Sequence, residues 1–159
     1  MRQRGFTYVG LLLLVAMSSA ALAAAGTLWS LESRRDKEAE LLFVGAQFTQ
    51  AITSFRERTP AGQMQRFPRD LEELVEDKRW PTPRRHLRRI YVDPMTGLRE
   101  WGLIAAPGGG VQGVHSLSPD APLKRANFAP EHEEFAVATS YREWRFVPQT
   151  PGAGQPEQN

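Results

Sequence analysis

The sequence predicts an α+β protein in which one long N-terminal helix packs on a small antiparallel β-sheet. Three observations lead there. Residues 5 to 31 are uncharged and mostly apolar, long enough as a helix to span roughly 40 Å. Directly after them, Leu41, Val44, Phe48, Ile52 and Phe55 recur at steps of three and four, the spacing of one helix face. Further on, Glu100–Ala105 and Val111–Leu117 read as two strands separated by Pro107-Gly108-Gly109-Gly110, a hairpin loop by composition.

Composition limits what else the chain holds. With 159 residues there is room for one small domain beyond the apolar run. A mean hydropathy of −0.44 despite that run makes the remainder strongly polar, so its core is small. The chain has no cysteine, which excludes disulfides, thiolate metal sites and cysteine nucleophiles. A net charge of +2 does not by itself argue for a nucleic-acid partner.

The apolar run admits three readings. As a secretory signal, Met1–Arg4 is the basic region and Ala21-Leu22-Ala23 a small-x-small cleavage site that leaves Ala24 at the mature end. As a plain anchor, it spans the ~30 Å hydrocarbon core of a bilayer. Arg2 and Arg4 before it face Arg34, Arg35 and Lys37 after it, so charge does not fix its orientation. The third reading rests on Arg4-Gly5-Phe6-Thr7-Tyr8 followed by aliphatic residues. This resembles the class III signal of type IV pilins and of the pseudopilins of type II secretion. The resemblance implies a prepilin peptidase cut between Gly5 and Phe6, methylation of Phe6, and retention of the helix as an inner-membrane anchor. The family usually carries a Glu five residues into the mature chain, and here that position is Gly10. A carboxylate in hydrocarbon is tolerated only with a partner. Gly10 removes both that cost and the recruiting interaction, which favours a minor or atypical member.

Residues 32 to 40 alternate acids and bases among strong helix formers and read as a solvated collar. The amphipathic stretch continues the helix to about Arg58, where Thr59-Pro60-Ala61-Gly62 ends it. The expected divisions are a leader at 1–5, a transmembrane helix at 6–31, an amphipathic helix at 32–58, an α+β domain at 59–147 and a disordered tail at 148–159. Within the domain, Leu71, Leu74 and Val75 face inward from a short helix over residues 71–77, and Ile90-Tyr91-Val92 is a β-prone run closed by an Asp93-Pro94-Met95-Thr96-Gly97 turn. This succession resembles the major pseudopilins, in which a short Leu-rich helix and an Asp-Pro-x-x-Gly turn lead into the first strand. Residues 135–141 and 144–147 fit either a strand pair or a short helix followed by a strand.

Chemistry is sparse. His86, His115 and His132 form no spaced metal motif, and Ser116 or Ser118 beside His115 lacks a Gly-x-Ser-x-Gly elbow, so no enzymatic activity is expected. The strongest charge feature is residues 78–89, with six Lys or Arg and no acid. Its arginines Arg84, Arg85, Arg88 and Arg89 are candidates for contact with a neighbouring subunit, if they are not paired with Glu72, Glu73, Glu76 and Asp77. DNA is the lesser alternative, because Trp80 and Tyr91 are the only nearby aromatics for base stacking. Some major pseudopilins hold calcium in a loop near the C-terminus. The matching stretch here offers one carboxylate, Asp120, where such sites need six to eight oxygens, so no cofactor is expected.

The resemblance thus implies a pseudopilin-like structural subunit of a type II secretion or related filament machine. Its partners would be other pseudopilins, the secretion platform and the prepilin peptidase, and its C-terminal domain would be periplasmic. The alternatives are a type IV pilin-like module that binds DNA or an adhesion ligand, and a cleaved periplasmic protein.

Overall fold

The computed structural model describes residues 5–149, with side chains described for 8–19 and 32–149. The leader residues 1–4 and most of the tail, 150–159, lie outside that range. The side chains of Gly5, Phe6 and residues 20–31 also lie outside it. The chain divides into two compact units, Met1–Asp36 and Lys37–Asn159.

The first unit consists of helix α1, whose bounds, Gly5–Glu57, carry it into the second. From Tyr8 to Met17 its large apolar side chains are exposed. Ser18 and Ser19 return their hydroxyls to the carbonyls of Leu14 and Val15 at 2.8 Å, which keeps both groups satisfied within the helix. Among the described residues, no helix is long and apolar enough to cross a membrane.

The second unit is built around the C-terminal half of α1. Leu41, Val44, Phe48, Ile52 and Phe55 are all 2% exposed or less and form the floor of the core, as their spacing predicts. After α1, the short helix α2 (Glu72–Val75) adds Leu71 and Leu74 to the core. The Asp70 carboxylate accepts the Glu73 amide at 2.9 Å, which satisfies a donor that the first turn leaves open.

The sheet is a two-stranded antiparallel hairpin, β1 (Gly102–Ala105) and β2 (Val111–His115). Each strand is shorter than its sequence suggests. Pairing runs Gly102 to His115, Leu103 to Val114 and Ile104 to Gly113, then slips so that Ala105 faces Val111. The slip is a bulge that leaves Gln112 unopposed. The expected loop forms: the Ala106 amide bonds to the Gly110 carbonyl and the Gly109 amide to the Ala106 carbonyl, both at 2.9 Å. Gly109 and Gly110 sit at φ 87° and 85°, the left-handed region that glycine adopts without strain.

Two segments depart from expectation. Ile90-Tyr91-Val92 forms no strand, because the backbone of the next residue, Asp93, is spent on its own turn. The Asp93 amide donates to the Leu98 carbonyl and the Gly97 amide to the Asp93 carbonyl, at 2.7 and 2.8 Å. The chain after Phe128 forms 3-10 turns over Pro130–Val137, interrupted by a kink at His132, and over Tyr141–Glu143. Among the described residues that follow, Phe146 alone pairs with the hairpin, in an isolated bridge to Val114. The buried residues here are Phe135, Ala138, Tyr141, Trp144 and Phe146, the first four spaced by three. Phe135 stacks on Trp144 with centroids 5.3 Å apart, and Phe128 and Phe146 meet Phe135 edge-on.

The Phe146 ring lies flat against α1 at Gly45, where a Cβ would overlap the ring atoms. Only glycine permits that approach. Gly45→Ala is therefore expected to destabilise the folded chain by about 1–3 kcal/mol, the cost of overpacking a filled core, despite the better helix propensity of Ala. Urea unfolding of the full chain in detergent, followed by tryptophan fluorescence, measures this. Phe146→Leu should restore part of the loss in the double variant.

Candidate functional site

Polar chemistry in the second unit gathers at three buried carboxylates and one basic surface. The first carboxylate is Glu38. The sequence places it in a solvated collar, yet its side chain is only 3% exposed. It accepts the Leu123 amide at 2.6 Å, the Lys124 amide at 3.2 Å and the Tyr141 hydroxyl at 2.8 Å. These partners lie 85 to 103 residues away. Their donors explain its burial, since a carboxylate leaves water only where hydrogen bonds replace it. Its neighbours Asp36, Lys37, Ala39 and Glu40 are exposed as expected.

The second is Asp77, held in a network that closes the end of α1. Arg79 meets it twice, Nε to Oδ1 at 2.9 Å and Nη2 to Oδ2 at 2.8 Å. The same Nη2 donates to the Phe55 carbonyl at 2.7 Å, and the guanidinium lies 3.6 Å above the Phe55 ring. His86 Nε2 is 3.2 Å from Asp77 Oδ2, and its Nδ1 is 2.9 Å from Ser54 Oγ on α1. Ser54, His86 and Asp77 thus stand in the order of a hydrolase triad. The imidazole, however, is 1% exposed, and both of its nitrogens are spent on these internal partners. The trio therefore latches the loop to α1. Burial works to raise the Asp77 pKa, but hydrogen bonds from Arg79 and His86 and the charge of Arg79 outweigh it and bring it to about 2. Burial pushes the His86 pKa below 6.5, against the pull of Asp77.

The third is Asp93, the turn residue that the sequence singles out. It is fully buried, takes the Ser116 hydroxyl at 2.7 Å and the Met95 amide at 2.9 Å, and so ties the turn to the end of β2.

The basic segment is a loop held at its base. Asp77 and Arg84 exchange backbone hydrogen bonds, the amides of His86 and Leu87 bond to the Leu74 carbonyl, and Leu87 enters the core. Lys78 pairs with Glu76 and Arg79 with Asp77, so part of the acidic run is answered internally. Glu73 is taken from outside the segment by Arg66, in a bidentate pair at 2.8 Å that lowers the Glu73 pKa. Arg84, Arg85, Arg88 and Arg89 are exposed and make no ion pair among the described residues. Arg84 lies 3.8 Å over the Trp80 ring, which covers that aromatic face.

The remaining candidates are dispersed. Gly10 is exposed, with no heavy atom within 4 Å of where a Cβ would stand. Asp120 bonds through its backbone to Ser118 Oγ and to the Tyr141 amide. Among the described residues, no group of three or more His, Asp or Glu is placed to hold a metal ion. The cleavage residues Gly5 and Phe6 have side chains outside the described range. Glu38 carried no local signal, because its partners lie 85 or more residues away, and the Ser54–His86–Asp77 latch carried none because Ser54 lies 32 residues from His86.

Removing Glu38 takes a shared acceptor from two backbone amides and the Tyr141 hydroxyl. Glu38→Ala is expected to cost about 3 kcal/mol and to speed hydrogen exchange at the Leu123 and Lys124 amides. Glu38→Gln, which keeps an acceptor, loses less. Acid should weaken the fold in two stages. The folded His86 pKa lies below 6.5, so the unfolded chain binds the proton first and stability falls as pH drops through 6.5. The depressed Asp77 pKa supplies stability that is present above 3.8 and lost as pH falls toward about 2, on the order of 2 kcal/mol. Urea midpoints between pH 8 and 2 measure both stages, and His86→Gln should abolish the first.

No protein-family model matches this chain, nor does any curated protein or solved structure, so the residues themselves carry the functional argument.

Proposed function

We propose that this chain is a pseudopilin-like structural subunit of a type II secretion or related type IV filament machine, acting by assembly rather than catalysis. In this reading it is cut between Gly5 and Phe6, anchored in a bacterial inner membrane through residues 6–31, and carries its second unit in the periplasm. Its partners are the prepilin peptidase, other pseudopilins and the secretion platform.

The observation that carries the reading is the helix. α1 runs from Gly5 to Glu57 without a break, and its second half is the floor of the domain core. A signal peptide cut after Ala23 would sever a helix in regular structure, whereas a cut at Gly5 leaves it whole. Helix α2 (Glu72–Val75), the Asp93–Gly97 turn and the hairpin follow in the order that the resemblance implies. DNA binding fits less well, because one face of Trp80, one of two nearby aromatics, is already taken by Arg84.

Intact-mass and N-terminal analysis of the chain extracted from membranes tests this. The expected result is a chain that starts at N-methylated Phe6. A chain that starts at Ala24 would overturn the anchor and the filament role together, and an unprocessed Met1 would overturn peptidase maturation.

A further inference from the structure

Two faces of the second unit gather like charge that forms no ion pair among the described residues. One is the arginine loop. The other lies on the 3-10 segment Pro130–Val137, where Glu131, Glu133 and Glu134 are exposed and line a groove of about 310 Å³ with Arg145 and Val147. Among the described residues, none of these three glutamates forms an ion pair. The two faces are tied to different levels of α1. The arginine loop is latched at Ser54 and Phe55. The acidic segment packs through His132 and Phe135 on Phe146, which rests at Gly45. Ten residues of helix separate these levels by about 15 Å.

We propose that the glutamate groove of one copy receives the arginine loop of the next copy. The loop is suited to insertion, because its base is closed by the Asp77–Arg84 bridge and by buried Leu87, while Pro81 and Pro83 restrict the chain between. Guanidinium and carboxylate groups meet bidentately. A groove rich in carboxylates thus matches an exposed basic loop. Made head to tail, as the filament reading requires, the contact is heterologous, and repeating it without closure builds an open chain of copies. Exposed ion pairs are individually weak, so the contact adds register to copies that other surfaces already bring together. This inference rests on the filament reading and names which surface of the subunit meets which.

The natural chain has no cysteine, so single thiols report the contact cleanly. Full-length Arg85→Cys and Val137→Cys variants, each at an exposed position, are mixed in membrane vesicles and treated with a short bismaleimide. The expected result is a mixed crosslink about fivefold stronger than either self-crosslink, falling several-fold on going from about 50 to about 300 mM salt. Adding R88E and R89E to the first variant should abolish it, and adding E133R and E134R to the second should restore it. Self-crosslinks as strong as the mixed one would overturn the proposal. So would a mixed crosslink indifferent to charge reversal, or no crosslink while the arginine loop binds anionic vesicles or nucleic acid. The mass of the N-terminus is read separately, so a methylated Phe6 without the crosslink overturns this contact alone.

Discussion

Every part of the folded domain depends on burying one face of α1. The hairpin has two short strands, and a pair of that size does not hold together alone in water. The 3-10 segments bring aromatic rings but no extended backbone ladder. What unites them is the row Leu41, Val44, Phe48, Ile52 and Phe55. Trp101 and Tyr91 meet it edge-on at Phe48, Phe146 rests beside it at Gly45, and His86 meets Phe55. The helix is therefore a structural member of the domain and not an appendage to it.

Apolar burial alone does not fix where the loops lie, and three buried carboxylates do that work. Glu38 positions residues 123–124 and Tyr141, Asp77 positions the arginine loop, and Asp93 ties its turn to Ser116. Each sits where donors have already been arranged, so the desolvation cost of the charge is offset by hydrogen bonds. Removing a carboxylate takes that acceptor from its donors, which makes these pins strict about geometry. The pin at Asp77 has a further consequence. By holding Arg79 inward it fixes the base of a loop whose other arginines point to solvent, and so turns a run of like charges into a presented surface.

The parts of the fold visible in the sequence are those governed by local periodicity. The three-and-four spacing of Leu41 to Phe55 is a helix signal, and the glycine run between two apolar stretches is a hairpin signal. The Asp93–Gly97 turn is legible because Asp, Pro and Gly each have a defined backbone role. Ile90–Val92 misleads because β propensity needs a neighbouring strand, and none is supplied. The three-residue spacing of Phe135, Ala138, Tyr141 and Trp144 was present in the sequence but answers to neither the helix nor the strand period. Glu38 is illegible for a different reason. Its charge marks it as exposed, and only partners 85 or more residues away reverse that. The Ser54–His86–Asp77 latch is hidden in the same way, since its members are 9 and 32 residues apart.

The claim that the second half of α1 is inseparable from the domain is tested most directly by native-state hydrogen exchange on the full-length chain. If it holds, the amides of residues 41–55 exchange only by the same global opening that releases Val114 and Phe146, with one free energy and one denaturant dependence. If residues 41–55 instead open by a separate, lower-energy route while the hairpin stays protected, the helix is an attachment and the account fails.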